Sequence, residues 1–193
     1  MDPQEERPVF VIGRQHSGNT MLTRMLGRHD QLHAFSGEGT FFERQSEIQA
    51  APIEERPHRV AREMSGGDLA LEDVLHYIRQ RVEDRPQPLD QYLAGKRGIA
   101  EQHGATRWVQ KATSYVFHAS DILERLPRAQ FLFLSRNPLD LAASLKRRGA
   151  KVRWGRMVWG WNRGTRKAHL IKRRYPKKLR VRRPISGRLF WIF

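Results

Sequence analysis

Eight residues near the N-terminus, Gly13-Arg14-Gln15-His16-Ser17-Gly18-Asn19-Thr20, follow the spacing of a phosphate-binding loop, G-x-x-x-x-G-K-[ST], in every fixed position but one. A glycine-bounded loop that leads into a helix offers backbone N–H groups and a positive helix end to an anion, and needs no particular side chain to do so. The exception is Asn19, which stands where the pattern has lysine. That lysine contacts the β- and γ-phosphates of a nucleoside triphosphate, so its loss argues against an ATPase, a GTPase or a nucleotide kinase. A phosphate or sulfate ligand without a γ-phosphate remains. Arg136, after the apolar run AQFLFLS, is a second anion candidate, because a guanidinium binds phosphate bidentately. His29 and His33 have the spacing of the zinc motif H-E-x-x-H, but Asp30 occupies the place of the required glutamate and no third ligand is evident. No metal is expected.

These residues need elements that bring them to one place. Residues 8–13 (PVFVIG) form a short apolar, β-branched run that stops at a glycine, which predicts a buried parallel strand. Met21, Leu22, Met25 and Leu26 then fall on one face of a helix spanning residues 18–28. A second short strand is predicted over residues 32–36, followed by the loop Gly37-Glu38-Gly39 and a helix from Thr40. Residues 51–67 are polar and broken by prolines, and predict a surface excursion. Amphipathic helices are predicted over 68–83 and 89–102, a strand over 107–110 that ends at Lys111, and a helix over 115–126. The clearest strand is residues 129–134 (AQFLFL). Asn137 suits a helix N-cap and Pro138 a first helical position, so the next helix should run from there to Gly149. Strands alternating with helices predict an α/β fold of three layers, with a central parallel sheet flanked by helices and ligands gathered at the carboxyl ends of the strands. Gly13, Lys111 and Arg136 all fall at such ends.

At 193 residues the chain predicts one domain. The absence of cysteine excludes disulfides and thiolate chemistry. The acidic start MDPQEERP has no signal-peptide pattern, and no apolar stretch approaches a membrane span, so a soluble cytoplasmic protein is expected. The net charge of +16 is unevenly placed. Residues 1–144 hold 18 Lys and Arg against 20 Asp and Glu, whereas residues 145–193 hold 18 basic residues and no acidic one. The division expected is a nucleotide-binding core over 1–150 and a basic C-terminal extension over 151–193 that forms the incomplete end of the same domain. Trp154, Val158 and Trp161 suggest one helix face within that extension.

The loop RQHSGNTML resembles the 5′-phosphosulfate-binding loop of sulfotransferases, an Arg or Lys followed by Ser-Gly-Thr-Thr at the end of the first strand. FLFLSRNPLDLAASLKRRG, residues 131–149, resembles that family's 3′-phosphate segment, a strand followed by Arg-[Asp/Asn]-Pro and a serine eight residues after the arginine. Between them, RWVQKATSYVFHASDILERLP resembles the W-x-x-K-[ST]-P stretch of its bacterial and tyrosylprotein-type branch. The likeness covers roughly residues 8–150 and keeps the order of the three motifs.

The resemblance implies a P-loop-like transferase that uses 3′-phosphoadenosine-5′-phosphosulfate as co-substrate and moves a sulfuryl group to a hydroxyl or amine. Carried over by position, Arg14, His16, Ser17, Gly18, Asn19 and Thr20 would wrap the 5′-phosphosulfate, with Arg136 and Ser144 on the 3′-phosphate. Glu38 would be the catalytic base, Glu43 the reserve, and Lys111 would stabilise the leaving oxygen beside His16. The chain departs from the pattern at three places. His16 replaces Arg or Lys, which makes weak or pH-dependent activity an expectation. Asn19 replaces Thr and still offers a donor, and Ala112-Thr113 replaces Thr-Pro.

Residues 174–181 (RYPKKLRV) begin a strand that the family also has, after which RRPISGRLFWIF replaces an acidic continuation, so a truncated or frame-shifted family member is expected. The acceptor implied is a small molecule, a glycan or a peptide. The rival reading is a catalytically impaired protein whose basic tail, with Trp154, Trp159 and Trp161, binds polyanions.

Overall fold

The computed structural model describes residues 3–65, 69–81, 87–149 and 151–182. The expected helix start at Asp68, the end at Glu83 and the terminal stretch 183–193 lie outside those residues.

In chain order the elements are β1 (Val9–Gly13), α1 (Asn19–Leu26), β2 (Leu32–Glu38), α2 (Phe41–Ala50), α3 (Arg56–Met64), α4 (Leu71–Arg81) and α5 (Pro88–Gln102). They continue with β3 (Arg107–Lys111), α6 (Ala119–Arg125), β4 (Gln130–Leu134), α7 (Pro138–Arg147), α8 (Trp154–Arg174) and β5 (Leu179–Arg182). The strands form one parallel sheet in the order β2-β3-β1-β4-β5. This is the α/β architecture that the sequence predicts. After β1 the chain steps out to β2, returns through β3, and then crosses to β4 on the other side of β1. That reversal opens a crevice above the carboxyl ends of β1, β3 and β4, where a ligand belongs.

Both sheet faces are apolar, as a parallel sheet covered on both sides requires. Val9, Val11, Val109 and Leu134 face Leu22 of α1, while Phe10, Ile12, Trp108, Phe131 and Phe133 join the larger cluster on the opposite face. Phe10 is the hub of that cluster, with the rings of Trp108, Tyr115 and Phe131 between 5.3 and 5.5 Å away.

Four boundaries differ from the sequence reading. The expected excursion 51–67 contains α3, which buries Val60, Ala61 and Met64. Its prolines did not prevent this, since Pro57 sits in the first turn, where a missing N–H costs no hydrogen bond. The expected helix 115–126 is instead a 3-10 turn, Thr113–Val116, followed by α6. The turn delivers Tyr115 to the core, where its hydroxyl oxygen accepts the N–H of Phe42 at 3.2 Å. The expected loop at Gly37 and Glu38 is the end of β2, and the β2–β3 register shifts between Phe35 and Glu38. The strand expected to begin at Arg174 starts only at Leu179, because α8 runs to Arg174, and the remaining predicted elements form within a few residues of their expected limits, including the Asn137 cap, whose side-chain oxygen accepts from the N–H of Leu139.

Residues beyond 150 join the sheet. β5 pairs with β4 through Phe131↔Leu179 to Leu134↔Arg182, and Ala168, Ile171 and Leu179 belong to the large core cluster. No helix among the described residues is long and apolar enough to cross a membrane.

Candidate functional site

β1 ends where it must turn sharply past its neighbour. Gly13 has φ 134°, and a Cβ placed on it would lie 2.3 Å from the carbonyl oxygen of Leu134, so only glycine fits between β1 and β4. The loop returns through His16 (φ 66°) and Gly18 (φ 98°) into α1. His16 is the one non-glycine residue with positive φ among those described, a local strain of the kind that collects at functional sites.

Asn19, in the lysine position, is turned inward and is almost fully buried. Its Nδ2 donates to the carbonyls of Gly13 at 3.3 Å and Arg14 at 3.1 Å. Two carbonyl partners leave no ambiguity about which end of the amide faces them. The side chain therefore closes the loop from inside instead of offering its donor to a ligand. Because a trans peptide sets N–H opposite C=O, the N–H groups of Arg14 and Gln15 point away from Asn19. The Ser17 N–H donates to the Arg14 carbonyl at 3.2 Å, while its hydroxyl oxygen, on a residue only 3% exposed, has no partner among the described residues. A buried hydroxyl is costly to leave unsatisfied, and an oxyanion seated in the loop would satisfy it. Thr20 is exposed in the first turn of α1.

Positive charge converges on this loop. Arg136, just past the end of β4, donates through Nη1 to the carbonyl of His16 at 3.4 Å, and Asp140 lies 4.0 Å from its Nε. Its own carbonyl accepts the indole N–H of Trp161 at 2.9 Å, which fixes its backbone against α8. Arg14 lies against Gly160 of α8, where a Cβ would come within 3.0 Å of its Nη1. Burial, together with the charges of Arg148 and Arg14, pushes the His16 imidazole below its ordinary pKa. Ser144 is half-buried on α7, one turn beyond Asp140 and on the same face.

On the other side of β1, Glu38 and Lys111 are register partners at the ends of β2 and β3. Their side chains pair at 3.1 Å, and the second carboxylate oxygen of Glu38 accepts the N–H of Thr113 at 2.6 Å. Glu43, on α2, accepts instead from the hydroxyl of Ser114. The sequence-predicted residues thus form two groups: the loop with Arg136, and the pair Glu38–Lys111. Both lie along the carboxyl edge of the sheet.

A cleft of about 290 Å³ opens at the same edge. Gly13, Arg14 and Gln15 form one wall, the segment from Thr113 to Phe117 a second, and α8 from Trp159 to Thr165 the third. Arg163 stands at its mouth, its guanidinium 4.7 Å from the Phe117 ring and 5.3 Å from that of Trp159. Sequence reasoning missed Arg163 and Phe117, and read Trp159 and Trp161 as parts of a polyanion-binding tail. The one signal available was the spacing of Trp159 and Arg163, one turn apart on a helix.

Among the described residues, no group of three or more His, Asp or Glu is close enough to hold a metal ion. The ring of His33 lies 4.3 Å from that of His103, and burial, His103 and Lys96 push its pKa down to about 4.

A parallel α/β sheet flanked by helices, with a glycine-bounded loop between its first strand and helix, defines a P-loop-like α/β fold. A model of the Sulfotransferase family matches residues 8–182, and the chain belongs to that family. Among solved structures it is similar to the sulfotransferase domain of the Synechococcus PCC 7002 olefin synthase, with 20% identity and a TM-score of 0.61 over 95% of this chain and 69% of that one. It is also similar to a sulfotransferase of Mycobacterium tuberculosis H37Rv, with 16% identity and a TM-score of 0.52 over 92% of this chain and 62% of that one. These identities carry the fold alone. No curated protein matches the chain.

Proposed function

We propose that the protein transfers a sulfuryl group from 3′-phosphoadenosine-5′-phosphosulfate to a hydroxyl or amine of a small molecule, glycan or peptide. The observation that carries this reading is the buried hydroxyl of Ser17, without a partner among the described residues, in a loop that lacks the lysine and includes Arg14. Such a cradle suits a phosphosulfate better than a triphosphate, because it offers N–H groups, a hydroxyl and charge but nothing that reaches a third phosphate.

The chemistry assigned to each residue follows from its position. The loop N–H groups, Ser17 and Thr20 hold the phosphosulfate, while Arg136 and Ser144 hold the 3′-phosphate. Sulfuryl transfer resembles phosphoryl transfer in passing through a loose, in-line transition state, so the protein mainly positions and neutralises. The S–O bond to the 5′-phosphate breaks as a new S–O bond forms to a hydroxyl acceptor, or a new S–N bond to an amine. The Lys111 ammonium offsets charge that develops on the leaving oxygen. Glu38 takes the acceptor's proton, and its contacts with Lys111 and Thr113 hold the carboxylate ready to receive it. Residues that act after binding should alter turnover and leave donor affinity alone.

Incubation with donor labelled in the sulfuryl group, against a panel of phenols, amines, sugars and tyrosine peptides, tests this. Label should move to at least one acceptor. Glu38→Gln should lower the rate by about 100-fold or more while leaving affinity for 3′-phosphoadenosine-5′-phosphate within about twofold. Retention of all label on the donor with every acceptor would contradict the reading.

A further inference from the structure

Beneath the Glu38–Lys111 pair lies a lysine that the mechanism above does not use. Lys96 of α5 is 1% exposed, and its Nζ sits 3.6 Å from the centre of the Phe35 ring among Tyr92 and Trp108. Burial pushes its pKa well below the ordinary lysine value. Its hydrogen-bond partner is Gln110 of β3, itself 2% exposed, whose Oε1 accepts from Nζ. A lysine head group and an amide buried in an aromatic core bring no apolar gain that leucine and methionine would not exceed.

The far end of the Gln110 amide supplies the reason. Its Nε2 donates to the carbonyl of Gly37 at 2.6 Å and, more weakly, to that of Lys111 at 3.4 Å. Gly37 lies where the β2–β3 register shifts, so its carbonyl falls in the irregular stretch between the Phe35 and Glu38 pairings. Gly39, on the other side of Glu38, donates to the Lys111 carbonyl at 2.7 Å and packs so closely on Gln110 that a Cβ would lie 2.9 Å from its Cγ. Glu38 is thus bracketed by two glycines, one held by the head of Gln110 and the other by its stem. An amide can flip end for end; the carbonyls of Gly37 and Lys111 require its NH₂, and the Lys96 Nζ donating to Oε1 supports that orientation.

We propose that Lys96 and Gln110 are positioning residues that fix the bulged end of β2 and thereby aim the Glu38 carboxylate at Lys111, the Thr113 N–H and the reacting acceptor. This rests on the reading of Glu38 as the base, but the positioning itself can be tested apart from that reading.

The test compares wild type with Gln110→Leu and Lys96→Met, which keep core volume, after thermal melting has shown each variant folded. The first measurement is amide hydrogen exchange by NMR. The N–H groups of Gly39 and Thr113 should exchange at least tenfold faster in Gln110→Leu, and less so in Lys96→Met. Ala112 is the control, because its N–H donates to the Val11 carbonyl at 2.9 Å inside the sheet and should not change. Unchanged exchange at Gly39 and Thr113, or equal acceleration at Ala112, would overturn the proposal.

The second measurement is the rate at which 3′-phosphoadenosine-5′-phosphate is released from the donor with water as acceptor, in a double-mutant cycle with Glu38→Gln. Gln110→Leu should slow release about tenfold in wild type, leave product affinity within twofold, and add nothing in the Glu38→Gln background. An equal loss in both backgrounds would overturn the proposal. If Glu38→Gln alone has no effect, the base assignment fails while the exchange measurement still decides the positioning.

Discussion

His16 stands where the resembling motif has Arg or Lys, and its surroundings lower its pKa in the free protein. Burial and the neighbouring Arg148 and Arg14 lower its pKa, and an anion bound in the loop would raise it again. Donor binding should therefore take up a proton, and affinity should rise as pH falls from 7.5 toward and below 6.5. The ratio of wild-type to His16→Gln affinity isolates this effect, because the ligand's own phosphates titrate equally in both. That ratio should grow roughly threefold to tenfold between pH 7.5 and 6 by calorimetry, and His16→Arg should remove the dependence. A flat ratio would show that the imidazole does not face the anion. Asn19 teaches the complementary lesson. Spacing located it correctly, but a side chain's direction depends on which carbonyls the folded loop presents, and here they draw the amide inward. The contact of Arg163 with Phe117 could not be read, since it joins α8 to the turn after β3 across a sequence separation that no local pattern reports.

At the scale of elements, the apolar runs of β1, β3 and β4 and the capped start of α7 were legible because each is decided by neighbours in sequence. The β2 bulge was not, because it is set by what β3 offers: Gln110 and the Lys111 carbonyl fix Gly37 and Gly39 from the adjacent strand. The helix α3 was hidden for a related reason. Its three buried residues face a core built by α4 and α5, while the rest of its surface is charged. The junction of β1 with the loop is the most constrained point. Gly13→Ala would combine an unfavourable φ with a 2.3 Å approach to Leu134, and should cost about 3 kcal/mol or prevent folding. Thermal melting measures it. Gly18→Ala, with nothing within 4 Å, should cost less, through φ alone.

Across the whole molecule, charge and architecture divide the chain differently. The positive excess lies beyond residue 144, yet α8 and β5 supply a wall of the cleft, the indole that holds Arg136 and the outer partner of β4. A chain ending at residue 150 would leave β4 as an open edge and strip Ala168, Ile171 and Leu179 from the core. It should fail to give a cooperative melt by circular dichroism. The central claim is that this edge of the sheet is a site for a 3′-phosphorylated adenosine donor. Calorimetric titration with 3′-phosphoadenosine-5′-phosphate, beside Arg136→Ala and with ATP as control, tests it most directly. The account predicts binding by the wild type, a loss of tenfold or more in the variant, and much weaker binding of ATP. No binding by the folded protein, or equal affinity for ATP, would contradict it.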